Sequence, residues 1–500
     1  MMTLDSIKKV YFIGIGGIGM SAIARYFLNR GCQVYGYDKT KTALTNLLEE
    51  EGMVVSYEDE THTLPVGLQA EDLELLVVYT PAIPKDSKIL NYFINEGFEL
   101  KKRSEVLGII SRGQFCIAVA GTHGKTTTSS IIAHILTDTG FGCTAFLGGI
   151  ATNFNSNFVL GNNDVVVVEA DEYDRSFLTL SPDLAVITSM DADHLDIYGD
   201  ESALQESFHL FAGKLKDNGT LFVKSGLPMN EGKHYGINNE TGISASNIRV
   251  ENARFLFDYS EGNEVDLKGL AEDNSNEHFS TVGNVNSYVN ESQTLPKDFD
   301  QGLPDINDNS KNLITDLEIL LPGRHNIENA VAAIAVALKL GIDAELIKKA
   351  VANFKGVKRR FEYVLNTKEQ IYIDDYAHHP EELKACFNAV RELYPEKKLT
   401  VIFQPHLFSR TRDFADGFAE VLSTVDDLLL LDIYPAREQP IAGIDAQYLL
   451  EKITLKDKAV YAKANVLDAI TLKQPELLVT VGAGDIDTLV LPLKKLLGHA

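Results

Sequence analysis

Basic residues are in short supply: 46 lysines and arginines stand against 71 aspartates and glutamates, a formal charge of −25. A phosphate backbone needs a basic surface, so nucleic acid is excluded as the main ligand, although small basic sites can still hold anions. Cysteine is scarce as well. Cys32, Cys116, Cys143 and Cys386 lie far apart, with no CxxC and no Cys/His metal spacing. They read as reduced core thiols of a cytoplasmic protein. No uninterrupted apolar run approaches the roughly 20 residues that span a bilayer, so no membrane insertion is expected. The N-terminus passes from a few polar residues into a strand and resembles no signal peptide. With 500 residues and 45% apolar content, the chain has material for two to four domains, each with its own core.

The densest motif is Gly121-Thr122-His123-Gly124-Lys125-Thr126-Thr127-Thr128, directly after the apolar run 115–120. A buried strand breaks into a glycine turn, delivers a lysine and a hydroxyl, then enters a helix. Amides at such a helix start face a phosphate, Lys125 adds a point charge, and Thr126 can ligate magnesium. The strict Walker spacing wants a glycine at position 119, where this chain has Val119.

Strands and helices alternate along most of the chain, which predicts layered α/β domains. An early strand, 10–13, runs into Gly14-Ile15-Gly16-Gly17-Ile18-Gly19, a helix follows to about Arg30, and a second strand ends at Asp38. This is a dinucleotide-type fingerprint that identifies a diphosphate and fits NAD or a UDP-linked ligand equally. A later parallel strand, 75–80, ends at Thr80. The expected boundaries are 1–112, 113–356 and 357–500. Between about 259 and 316 the chain turns Asn-, Ser-, Gly- and acid-rich, and reads as an exposed, partly disordered insertion.

The central unit carries further chemistry. A run of four valines, 165–168, ends in Glu169, forty-four residues after Lys125, and continues Ala170-Asp171-Glu172. A carboxylate at a strand end beside a phosphate loop is where a magnesium ligand belongs. Asp193-His194 follows the next strand, and in this acidic surrounding His194 reads as a ligand of a second metal ion.

Six segments occur in order: Gly121–Thr128, Glu169–Glu172, Asp193-His194, Leu321-Pro-Gly-Arg-His-Asn326, Arg359-Arg-Phe-Glu362 and Asp374-Asp-Tyr-Ala-His-His-Pro380. Together they resemble the Mur ligases of peptidoglycan synthesis. The turn Gly14–Met20, Gln404-Pro-His406 with Ser409-Arg-Thr-Arg412, the stretch from Asp432 to Ile441, and Gly482–Ile486 narrow the resemblance to the alanine-adding type. It covers nearly the whole chain except the insertion.

The resemblance implies three domains: a Rossmann-like domain for a UDP-sugar, a central P-loop ATPase α/β domain, and a Rossmann-like α/β C-terminal domain that presents an amino acid. ATP would phosphorylate the lactyl carboxylate of UDP-N-acetylmuramate, and L-alanine would attack the acyl phosphate. Lys125 would then bind the terminal phosphates. Thr126, Glu169 and His194 would hold magnesium, with two ions in all. Gly121, Thr122, His123, Gly124 and Thr127 complete the ATP loop. His325, Asn326 and Asn329 match the adenine segment, and Arg360 and Asp375 match residues that reach the nucleotide from another domain. Gly14, Gly16, Gly17, Gly19, Asp38 and Thr80 would form the UDP-sugar site. Tyr376, His378 and His406 match the alanine side-chain pocket, and Arg410 a carboxylate clamp. Catalysis would rest on Lys125, Glu169, His194 and Arg360. Asn326 and Asn329 also fit a helix cap and polar face, and Tyr376 also fits a core position.

The chain departs from the family at Leu407, where many members have arginine directly after the histidine matching His406. Half of a two-arginine clamp is missing there unless Arg412 or another residue compensates. The nearest rival is a recycling ligase that attaches a tripeptide to the same sugar acid; Gln404-Pro-His406 favours a single amino acid. An NAD-dependent oxidoreductase would leave Gly124-Lys125-Thr126, Glu169 and His194 without a task. A UDP-sugar-sensing regulator with a decayed ATPase conflicts with the same intact residues.

Overall fold

The computed structural model describes residues 4–70, 72–191, 198, 200–239, 242–251, 254–262, 313–367, 369–436 and 438–498. Three sheets follow one another along the chain. In the first, five parallel strands lie in the order Val54–Ser56, Gln33–Tyr37, Lys9–Ile13, Leu75–Tyr79, Leu100–Lys102. The chain builds outward in one direction from Lys9–Ile13, then returns to its other side. The glycine turn after Ile13 therefore sits at the switch point, where a crevice opens beyond the strand ends.

The second sheet has ten strands. Phe115–Ala120 lies inside it, flanked in parallel by Val165–Glu169 and Leu184–Ile187. These three strands are continuous apolar runs because both faces are covered. Ile117, Val119, Val165, Val167 and Val186 join one core, and Cys116, Ala118, Val166, Val168 and Ile187 join the other. The first core closes over helix Lys125–Asp138, which packs against the alanine-rich helix Arg324–Lys339. Ala330, Ala332, Ala333, Ala335 and Ala337 let the two axes approach closely.

The second core is shared with the N-terminal sheet. Helix Ile18–Asn29 lays Met20, Ala24 and Phe27 against it, and Tyr26 meets the rings of Phe146 and Phe158. Each fully buried large side chain contributes about 1.5–3 kcal/mol. The seam also holds polar groups. Buried Arg25 pairs with Glu51 at 2.7 Å and donates to Asn157, whose amide donates to the Ser21 hydroxyl at 2.9 Å.

The third sheet has six strands in the order Glu362–Asn366, Ile371–Asp375, Leu477–Val481, Leu399–Phe403, Asp427–Leu431, Lys458–Tyr461; only the first is antiparallel to its neighbour. Its cores share no buried residue with the other two, and half-buried Leu393 packs against both one of them and the central core.

The expected insertion is narrower at its edges. Strands Arg254–Glu261 and Leu313–Ile319 pair antiparallel across them, with Tyr259 and Ile314 buried. Alternating inward residues there carry a strand period that the polar composition obscured. Residues 263–312 lie outside the described residues. Among the described residues no helix is long and apolar enough to cross a membrane.

Asn157→Ala should leave Arg25 Nη1 without its partner inside the seam, though Glu51 still holds the rest of the guanidinium, and cost about 1–3 kcal/mol. A urea titration followed by circular dichroism should show a lower midpoint; an unchanged midpoint would show that the seam does not depend on this amide.

Candidate active site where three sheets meet

The strand Phe115–Ala120 ends in a loop whose backbone demands glycine twice. Gly121 has φ +138° and Gly124 φ +83°, and a Cβ on Gly124 would lie 2.8 Å from Asn329 Oδ1. Gly124 caps helix Lys125–Asp138, so the loop's amides converge at a helix N-terminus. Side chains from the neighbouring strand brace the loop. Ser189 Oγ accepts the His123 N–H at 2.6 Å, and Thr122 Oγ1 lies 2.9 Å from Ser189 Oγ.

Lys125 Nζ donates to Gly121 O at 2.5 Å and pairs with buried Glu172 at 2.7 Å. Burial works against its charge, but Glu172, Asp171 and Glu169 outweigh that and raise its pKa above the ordinary lysine value. Thr126 Oγ1 donates to Glu169 Oε1 at 3.0 Å, and Gly148 N–H donates to Oε2 at 2.8 Å. Burial pushes the Glu169 carboxyl up, with Lys125 pulling it back. The turn after Glu172 is strained, with Asp174 and Arg175 at φ +52° and +54°. It is tied to the N-terminal unit through Arg103–Asp171 at 2.9 Å and Lys102–Asp174 at 3.2 Å.

Two cavities lie near this loop. One of about 100 Å³ lies between the start of helix Ile18–Asn29 and the acidic strand end, bounded by Gly19, Arg103, Gly148 and Glu169. The glycine turn before that helix is tight: Gly14 has φ +92°, and a Cβ there would meet Thr80 Cγ2 at 3.0 Å. Gly17 precedes the helix that starts at Ile18. Asp38 braces the turn, accepting the N–H of Gly16 at 2.8 Å and of Thr40 at 3.1 Å. The other cavity, about 340 Å³, is a cleft between the second and third sheets. His123, Gly124 and Thr127 line one wall, His325, Asn326 and Asn329 another, and Arg360 and Asp375 close it from the third sheet. Asn326 and Asn329 also serve the fold: Asn326 donates to Pro322 O at 2.7 Å, and Asn329 accepts from Thr128 at 3.1 Å.

The C-terminal groups cluster beside that cleft. Arg359 has φ +61°, donates to Asp374 at 3.0 Å and to Gly482 O at 2.6 Å, and so holds the turn that aims Arg360. Both guanidinium groups lie over Tyr376, at 5.2 and 5.6 Å. Asp375 accepts the amides of Phe361 and Ala377 at 2.6 and 2.7 Å. Tyr376, His378, His406 and Tyr434 form a chain of rings 5.3–6.0 Å apart. Arg410 is half-buried and makes no ion pair among the described residues. Leu407 has φ +69°, unusual for a side-chain-bearing residue. Arg412 does not stand free in its place: it is exposed and bound to Asp413 at 2.7 Å.

His194 lies outside the described residues. Among those described, no group of three or more His, Cys, Asp and Glu side chains is arranged to hold a metal. Sequence reasoning missed Arg103 and Glu382 and gave Glu172 no role. Glu172 sat in a recognised acidic run, while Glu382 had the look of an ordinary acid in a first helical turn.

A glycine loop at a helix N-terminus, set between a switch-point glycine turn and a third sheet, defines a multidomain α/β scaffold with an anion-accepting edge. Residues 9–115 match the Mur ligase family catalytic domain, 119–337 the Mur ligase middle domain, and 359–484 the Mur ligase glutamate ligase domain. The chain is 47% identical over 499 residues to a UDP-N-acetylmuramate–L-alanine ligase of Christiangramia forsetii, covering 100% of both. The fold is similar to the crystal structure of a UDP-N-acetylmuramate–alanine ligase from Thermotoga maritima, with TM-score 0.74 at 23% identity and 98% of each chain covered. A murein peptide ligase from Psychrobacter arcticus gives TM-score 0.65 at 20% identity, covering 99% of each. This chain belongs to the Mur ligase family.

Asp374 offers a pH test. Burial raises its pKa from 3.8 to about 6, against the pull of Arg359 and Thr480. The folded protein thus holds this proton where the unfolded chain has lost it, so stability falls as pH rises between those values. Asp374→Asn should flatten that part of the curve of unfolding midpoint against pH. Parallel curves for the two proteins would contradict the assignment.

Proposed function

We propose that this chain is an ATP-dependent ligase that joins L-alanine to the lactyl carboxylate of UDP-N-acetylmuramate, a step of peptidoglycan precursor synthesis. The observation that carries the reading is the glycine loop opening onto a cleft that Arg360 and Asp375 close from the third sheet, with Glu169, hydrogen-bonded to Thr126 just after that loop, lining a second cavity. The smaller is walled by Ile18, Gly19, Ala22 and Ile23 of the helix that follows the glycine turn and would lie on the sugar-nucleotide side, and the larger faces Arg360 and the third sheet. Full-length relatives at 41–47% identity bearing the alanine-ligase name support the choice of amino acid.

The chemistry explains the parts. A carboxylate is a poor electrophile, and its oxygen becomes a good leaving group only when phosphorylated. Attack of that oxygen on the terminal phosphorus of ATP forms the acyl phosphate and releases ADP. The deprotonated alanine amine then attacks the acyl carbon, and the tetrahedral adduct expels phosphate to leave the amide.

Phosphorylation brings anions together, so cations must meet them. Lys125 would exchange Glu172 and the Gly121 carbonyl for the terminal phosphates. Loop amides would hold the phosphate chain, and Arg360 would add charge from the third sheet, so that the site is complete only with the domains together. The donor set fits magnesium: Thr126 and Glu169 offer adjacent oxygens, and this ion ordinarily takes one or two protein carboxylates with phosphate and water. When bound there, magnesium would screen the approaching anions. His194 is proposed for a second ion. His325, Asn326 and Asn329 would face the adenine, and Asp375 the nucleotide. Gly14, Gly16, Gly17, Gly19, Asp38 and Thr80 would take the UDP-sugar. Arg410 would clamp the alanine carboxylate, with Tyr376, His378 and His406 around its methyl group. The reading requires the cytoplasm, where ATP and nucleotide-linked precursors are found.

The test is phosphate release with UDP-N-acetylmuramate and Mg²⁺-ATP plus L-Ala, Gly, L-Ser or the tripeptide, each in turn. Release that needs both the sugar acid and L-Ala is expected; turnover with tripeptide alone would favour the recycling reaction. Lys125→Ala should cut acyl-phosphate formation by on the order of 10²–10³ while UDP-sugar binding persists. Collapse of that binding would show that the two sites are not separate.

A further inference from the structure

Glu382 lies just after Pro380 at the start of helix Pro380–Leu393. In that place a glutamate is ordinarily a cap, and its Oε2 accepts the N–H of His378 at 2.9 Å and of His379 at 3.2 Å. Capping leaves the other oxygen without a task. Oε1 instead lies 3.4 Å from Nδ1 of His123, in the phosphate loop on the far side of the cleft between the second and third sheets. The ring of His378 is drawn in as well, with Nδ1 3.1 Å from Oε2. One carboxylate therefore touches a loop histidine and a histidine of the amino-acid pocket.

The charge is held in place. Burial opposes ionisation of Glu382, yet hydrogen bonds from His123 and His378 keep its carboxyl well below the usual range. Neither end of the link is loose. The His123 backbone is fixed by Ser189 and Thr188, and the His378 ring stands 5.3 Å from Tyr376 and 6.0 Å from His406. A plain helix cap would need none of the contacts to His123.

We propose that Glu382 is a positioning residue for the amine-transfer half of the reaction, setting the amino-acid pocket in register with the phosphate loop through His378 and His123. This rests on the ligase reading above. It assigns Glu382 no contact with substrate; its effect passes through the two histidines. Glutamine satisfies a helix cap as well as glutamate does, whereas the two imidazoles are organised by a charge. Glu382→Gln therefore separates the cap from the link.

The experiment uses the full-length protein with Mg²⁺-ATP and UDP-N-acetylmuramate. ADP formed in a single turnover without amino acid reads the first half-reaction; steady-state KM and kcat for L-Ala read the second. Glu382→Gln should keep the first within about twofold and raise the KM for L-Ala about tenfold, as loss of a charged hydrogen bond does. Its melting temperature should stay at the wild-type value, while Glu382→Ala should lower it and raise KM as well. His123→Asn should raise the KM for L-Ala, and combining it with Glu382→Gln should add little further. A wild-type KM for L-Ala in Glu382→Gln would overturn the proposal. So would equal loss of both half-reactions, which would place Glu382 in the ATP site. Failure of the wild-type protein to use L-Ala at all would instead overturn the ligase reading.

Discussion

A parallel sheet covered on both faces has only its strand ends to offer a ligand, and the site depends on that constraint. In the central sheet Phe115–Ala120, Val165–Glu169 and Leu184–Ile187 are apolar until their last residues, since both faces are core. Polar chemistry can emerge only at one edge, where the phosphate loop, Glu169 and the Thr188-Ser189 pair all appear. Burial at that edge gives the charges their strength. Lys125 and Glu172 lie in surroundings that would penalise either one alone, and each is present because the other is.

The three sheets are joined in two different ways. The first and second share an apolar core, with Arg25 and Asn157 sealed inside the seam. The third has its own cores and meets the second across an open cleft, whose lining includes His123, Glu382 and Arg360. Apolar seams resist sliding because every shift exposes surface, whereas hydrogen bonds across a cleft open to solvent are readily exchanged with water. Under the proposed function the sugar nucleotide would be held on the seam side, and nucleotide and amino acid would enter by the cleft.

Much of this was legible residue by residue. The glycines at 121 and 124 announced a turn between a strand and a helix, and the turn is there, with both at positive φ. Glu169 announced itself as the carboxylate ending a valine run. Other residues gave no such signal. Arg25 and Asn157 are 132 positions apart, and neither carries a pattern that names the other. Glu382 resembled any acid of a first helical turn. Asn326 and Asn329 fitted either an adenine contact or a helix cap and polar face; they are buried, line the cleft and brace neighbouring segments by hydrogen bonds, while Gly323 takes the cap position.

The sequence by itself determined the layered α/β architecture, the phosphate loop and the family to which the chain belongs. Those properties depend on local backbone geometry and on the period of buried residues, both written in neighbouring positions. Only the tertiary structure decided which carboxylate holds Lys125, that Asp38 braces its own glycine turn, that Arg410 is left unpaired among the described residues, and that Glu382 reaches His123. Each of these depends on which long side chain fills a space made by segments distant in sequence, and close packing, not any local pattern, settles it.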